Sequence, residues 1–126
     1  MPTLTTQRFQ ALLDLISAEH PEFKEIKQQY LFAQQTVTWN PYHESIKFHH
    51  GESTPPLQST NAHYMISMEL QSTRHPITIL FILYVTNHYI DISDLYVGEN
   101  CPLPPMDDYF DGTTIAPWVK HKLTII

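Results

Sequence analysis

The chain has one cysteine, three glycines and no hydrophobic run longer than about ten residues. Each shortage excludes something. A lone Cys101 cannot form an internal disulfide, which suits a reducing compartment such as the cytoplasm. Three scattered glycines, Gly51, Gly98 and Gly112, leave no glycine-rich loop of the kind that cradles phosphate. The longest apolar run, "PITILFILYV", has about half the length a membrane-spanning helix needs and is rich in β-branched residues. The opening "MPTLTTQRFQ" carries neither the apolar centre nor the small-residue cleavage site of a signal peptide. Together these features predict a soluble, cytoplasmic protein.

What is present is ordinary globular material. At 126 residues and 14.7 kDa the chain predicts one domain spanning 1–126, able to bury roughly two-thirds of its unfolded surface without a disulfide or metal. "TTQRFQALLDLISAEH" sets Phe9, Leu12, Leu13 and Ile16 at the spacing of an amphipathic helix, with Thr5 or Thr6 as its cap. "PEFKEIKQQYLFAQQ" repeats the pattern with Phe23, Ile26, Tyr30 and Ala33, and Pro21 can occupy its first turn.

From Thr36 the period changes to two. Val37 and Trp39, then Ile46 and Phe48, alternate with polar residues around the turn "NPYHE". "GESTPPLQSTN" has loop composition. "AHYMISMEL" places Tyr64, Ile66, Met68 and Leu70 on one strand face, and "PITILFILYV" is apolar on both faces, as a covered central strand would be. Asn87-His88 reads as a two-residue hairpin turn that sets Val85 against Ile90 and Leu83 against Ile92. A bulge at Ser93-Asp94 would then pair Phe81 with Leu95 and Ile79 with Val97. "WVKHKLTII" suits a last short strand, with Trp118 packed on the core. The expected fold is α+β: two N-terminal helices on a mostly antiparallel sheet of about five strands, followed by a proline-rich acidic C-terminal loop.

Basic residues are scarce, seven against thirteen acidic, for a formal charge of −6. Residues 87–112, "NHYIDISDLYVGENCPLPPMDDYFDG", hold six carboxylates and no Lys or Arg, so the remaining seven acids and seven bases cancel. Such a field repels nucleic acid and anionic membrane and steers basic proteins.

Catalytic and metal motifs fare worse. His49 and His50 are neighbours on a strand and point to opposite faces, and no zinc-ligand spacing exists among the eight histidines. Cys101 is flanked by Glu99, Asp107 and Asp108, the opposite of what a thiolate nucleophile needs. His43-Glu44 suits an acid–base pair only by residue type. "DDYFDG" lacks the spacing and closing Glu of an EF-hand. No metal and no cofactor is expected.

Two N-terminal helices, a hairpin with a very apolar first strand, and "HYIDISDLYVGENCPLPP" together resemble small immunity proteins of bacterial polymorphic-toxin systems, including contact-dependent growth inhibition. The resemblance covers about residues 64–105 and implies a non-enzymatic protein that neutralises a cognate toxin. It carries over no residue's role. The candidate partner-binding residues come from the charge argument: Asp91, Asp94, Tyr96, Glu99, Asp107, Asp108, Tyr109, Phe110 and Asp111, with prolines stiffening the segment and aromatics as anchors. The expected partner is a basic toxin domain, a nuclease for example, occluded by the acidic surface of a monomer or homodimer. The alternatives are a small enzyme or ligand-binding domain with a pocket between helices and sheet, and a regulator acting through dimerisation.

Overall fold

The computed structural model describes residues 4–98 and 101–126. Helix α1 (Thr6–Glu19) is capped by Thr5, whose hydroxyl accepts the Arg8 N–H at 3.2 Å. The cap satisfies one of the donors every helix start leaves unpaired. Phe9, Leu12, Leu13 and Ile16 face the core, as their spacing predicts. The expected second helix is split into a 3₁₀ turn, Pro21–Phe23, and a short α2 (Ile26–Phe32).

Among the described residues eight strands follow: β1 (Gln34–Asn40), β2 (His43–His49), β3 (Tyr64–Ser72), β4 (His75–Thr86), β5 (Tyr89–Tyr96), the two-residue β6 (Phe110–Asp111) and β7 (Thr114–Ile115), and β8 (Val119–Ile125). Six of them form one antiparallel sheet in the order β1-β2-β5-β4-β3-β8, while β6 and β7 make a small separate ladder. The fold is α+β, with one more main strand than expected.

The hairpin forms where its turn chemistry places it. Asn87 and His88 both have positive φ, 52° and 68°, the pair of left-handed residues that matches strand twist in a tight turn. Val85 pairs with Ile90 and Phe81 with Leu95, as expected. The bulge, however, falls at Asp91, because Tyr84 pairs with Ile92 and Leu83 with Ser93. Placing the extra residue there turns Ser93, instead of Ile92, toward the core. Asp91 then reaches Lys47 and the Thr86 hydroxyl, which stabilise the displaced residue.

The core lies between α1, α2 and one sheet face. Leu12, Leu13, Ile16, Ile66, Met68 and Leu83 are fully buried there. The part of the expected acidic loop at 106–111 is not solvated. Residues 106–111 turn inward, burying Met106, Tyr109 and Phe110 at the end of the core. The Asp108 carbonyl accepts from the Ser72 hydroxyl at 2.5 Å and from the Trp118 indole at 2.8 Å, and the Tyr109 hydroxyl donates to the Ile77 carbonyl. These bonds give the segment's polar atoms partners, which permits its burial. Trp118 is half-buried beneath the Arg74 guanidinium, 3.3 Å from its ring centroid, outside the core it was expected to join.

Candidate partner-binding surfaces

Strand register sorts side chains between the two sheet faces, because directly paired residues share a face. One row runs Thr36, Lys47, Ile92, Tyr84 and Met65; the next, Thr38, Ser45, Asp94, Ile82, Ser67 and Thr124; a third, Asn40, His43, Tyr96, Leu80, Glu69 and Lys122. All three lie opposite the helices. Met65, Leu80, Ile82, Tyr84, Ile92 and Tyr96 are half-buried by their sheet neighbours and belong neither to the core nor to the side chains packed against it. Among the described residues, the doubly apolar β4 is therefore covered on one face only, and its second apolar face is open.

Charge on this open face is balanced. Glu69, Asp91 and Asp94 stand with Lys47, Lys120 and Lys122. The Asp94 carboxylate lies 2.9 Å from His43 Nε2, and His43 packs edge-on against Tyr96. Asp91 pairs with Lys47. Burial, with the Asp94 carboxylate and Tyr96 phenol beside it, raises the Tyr84 phenol above its ordinary value.

Residues 106–112 of the acidic stretch sit on the helix side. Arg8, from the first turn of α1, stacks 5.3 Å above the Phe110 ring, donates to the Gly112 carbonyl at 3.2 Å and pairs with Asp107 at 2.9 Å. Its side chain is only 17% exposed, whereas that of Asp107 is 91% exposed. The cation is thus tucked under the segment and the carboxylate stands outward. Asp111 is exposed beside it and Asp108 is half-buried. Off the open sheet face, the described residues hold nine carboxylates (Asp14, Glu19, Glu22, Glu25, Glu44, Glu52, Asp107, Asp108 and Asp111) against Arg8, Lys24, Lys27 and Arg74.

The nine expected binding residues therefore do not form one surface. Asp91, Asp94 and Tyr96 lie on the open sheet face; Asp107, Asp108 and Asp111 lie by the start of α1; Glu99 falls outside the described residues. Tyr109 and Phe110 are corrected from interface anchors to core residues, at 0% and 2% exposure. Their spacing in "MDDYFDG" was compatible with either role, and the uncovered end of the core decides it.

His43 and Glu44 also separate. As adjacent strand residues they point to opposite faces, and the buried Glu44 accepts the Leu4 N–H at 3.2 Å. Among the described residues, no three His, Cys, Asp or Glu side chains are grouped to hold a metal ion. No helix among them is long and apolar enough to cross a membrane. The space between helices and sheet, where a ligand pocket was the alternative, is filled by side chains at or near zero exposure. One cleft of about 340 Å³ lies at the periphery, lined by Glu22, Ser59, Asn61 and Tyr64 among others.

Sequence reasoning missed Gln29, which is completely buried. Its amide donates to the carbonyls of Pro55 and His88 and accepts the Ile90 N–H. Its position, three after Ile26 and one before Tyr30, already placed it on the core-facing stripe. No family model, curated protein or solved structure matches this chain.

Proposed function

We propose that this chain is a non-enzymatic binding protein of immunity type, which neutralises a basic toxin domain by covering its active site. The observation that carries the reading is the segregation of charge. The open sheet face is balanced, while the described residues elsewhere present eight carboxylates, besides the buried Glu44, against four cations, with Asp107 91% exposed and Asp111 exposed as well. A basic cleft approaching this protein is drawn to the side bearing α1 and residues 106–111, where acidic groups can take the place of nucleic-acid phosphates. The packed interlayer between helices and sheet favours surface recognition over a pocket reading.

The test uses a toxin domain encoded beside this protein, co-expressed with it and scored for rescue of growth. Surface plasmon resonance on the purified pair then locates the contact. Asp107→Asn with Asp111→Asn should slow association by about 3- to 10-fold at low salt, and less at high salt, because exposed charges are screened over roughly 8–10 Å. Failure of the pair to bind, or of growth to recover, removes the immunity reading. A second reading, docking through the open sheet face, is favoured by its six uncovered apolar side chains. It replaces the first if Tyr96→Ala or Ile82→Asp speeds dissociation while the Asp107 and Asp111 changes leave both rates unaltered.

A further inference from the structure

The two edges of the six-stranded sheet are built differently. Strand β8 carries Lys120, His121 and Lys122 along "VKHKLTI", the kind of charge that keeps an exposed edge from pairing with another chain. Strand β1, "QQTVTWN", has no charged residue and no proline, and all seven of its residues are exposed. Val37 and Trp39 are 43% and 46% exposed on the side of the sheet that bears the helices, because neither helix extends over this strand. Among the described residues, β1 pairs with β2 alone.

Hydrogen-bond parity follows from the turn. Asn40 and His43 close the two-residue connection between β1 and β2, so Asn40, Thr38 and Thr36 direct their backbone groups toward β2. Gln35, Val37 and Trp39 then direct theirs outward, unpaired, along the edge.

We propose that β1 is a homodimer interface, in which two copies pair antiparallel through their β1 strands about a two-fold axis at Val37. Val37 then exchanges both backbone hydrogen bonds with its symmetry mate, and Gln35 lies opposite Trp39 of the other copy. Each Trp39 ring covers the Val37 pair from one end. This arrangement is isologous and closed. Pairing β1 with β8 of another copy would instead be open-ended, and β1 has no carboxylate to meet the lysines of β8. The axis stands perpendicular to the sheet, so twelve strands become continuous and both helix layers, with Asp107 and Asp111, face the same way. The proposal stands independently of the toxin reading.

Sedimentation equilibrium of the intact chain should show its mass moving from 14.7 kDa toward twice that as concentration rises. Val37→Lys, at an exposed position that leaves the monomer's packing intact, sets two cations together on the axis and should weaken the dimer at least about 10-fold. The register has its own test in a Cys101→Ser background. Val37→Cys should cross-link on air oxidation, since hydrogen-bonded pairs place Cα atoms about 5.5 Å apart, within the roughly 4.4–6.8 Å that a disulfide spans. Gln35→Cys, opposite Trp39 rather than itself, should not. A monomer mass at every concentration up to about 1 mM, comparable to the weakest specific complexes, overturns the proposal. So does a dimer indifferent to Val37→Lys, or equal cross-linking by the two cysteine variants.

Discussion

Gln29→Met should destabilise this protein far more than its polar identity suggests. The side chain is completely buried and joins three elements: its amide donates to Pro55 O at 2.8 Å and His88 O at 3.1 Å, and its carbonyl accepts the Ile90 N–H at 2.9 Å. Methionine has nearly the same shape, so the change removes polar contacts and leaves little cavity. The three losses are unequal. His88 O retains the Leu57 N–H at 2.8 Å, and Pro55 is half-buried, within reach of water. Each of these should lose about 1 kcal/mol, the net worth of an ordinary hydrogen bond. Ile90 is completely buried, and its stranded N–H should cost about 1–3 kcal/mol. The sum is about 3–5 kcal/mol, a large share of the roughly 5–15 kcal/mol that stabilises a typical domain. Urea denaturation followed by tryptophan fluorescence reads this directly, and thermal unfolding should show the melting temperature falling by about 11–19 °C. A loss below about 1 kcal/mol, at an unchanged denaturant slope, would show that the buried amide is not what ties α2 to the hairpin.

Phe110→Ala should lower stability by about 3–4 kcal/mol, measured by the same denaturation, because it empties a core site and leaves Arg8 without its ring. A loss within about 0.5 kcal/mol would return residues 106–111 to the solvent. His88→Gly should raise stability by about 1 kcal/mol by relieving a side chain held at φ 68°, and an unchanged or lower midpoint would argue against the tight-turn geometry. Alkaline pH should destabilise the fold. Burial raises the phenols of Tyr30, Tyr64, Tyr84 and Tyr109 above the ordinary 10.0, so the native state holds these protons after the unfolded chain has released them. Their contribution is complete below pH 10 and is lost as pH rises through the raised values. A denaturation midpoint that stays flat from about pH 9 to pH 11 would refute this.

Much of the fold is legible along the chain because local patterns and local physics agree. The α1 stripe, the Thr5 cap, the strand alternation in 36–48 and the left-handed Asn87-His88 turn all depend on neighbours a few residues apart. The α+β class follows from the order of these elements. The candidate surfaces were less readable. An acidic run in sequence became two separate sites, because β5 carries Asp91 and Asp94 to the open face while the following segment returns to α1 with Asp107 and Asp111.

The sequence by itself determined α1 and the long strands of the main sheet, since those choices depend on spacing, caps and turn residues within reach of one another. It also determined that acid outweighs base. Only the tertiary structure decided where each side chain is used. Sheet order left β4 apolar on a face that no described element covers, the limited reach of the helices left β1 exposed, and the exposed end of the core drew in Tyr109 and Phe110. The physical reason is that burial depends on what packs above a residue, and the elements that do so here come from distant parts of the chain. Arg8 and Asp107 are 99 residues apart in sequence and 2.9 Å apart in space.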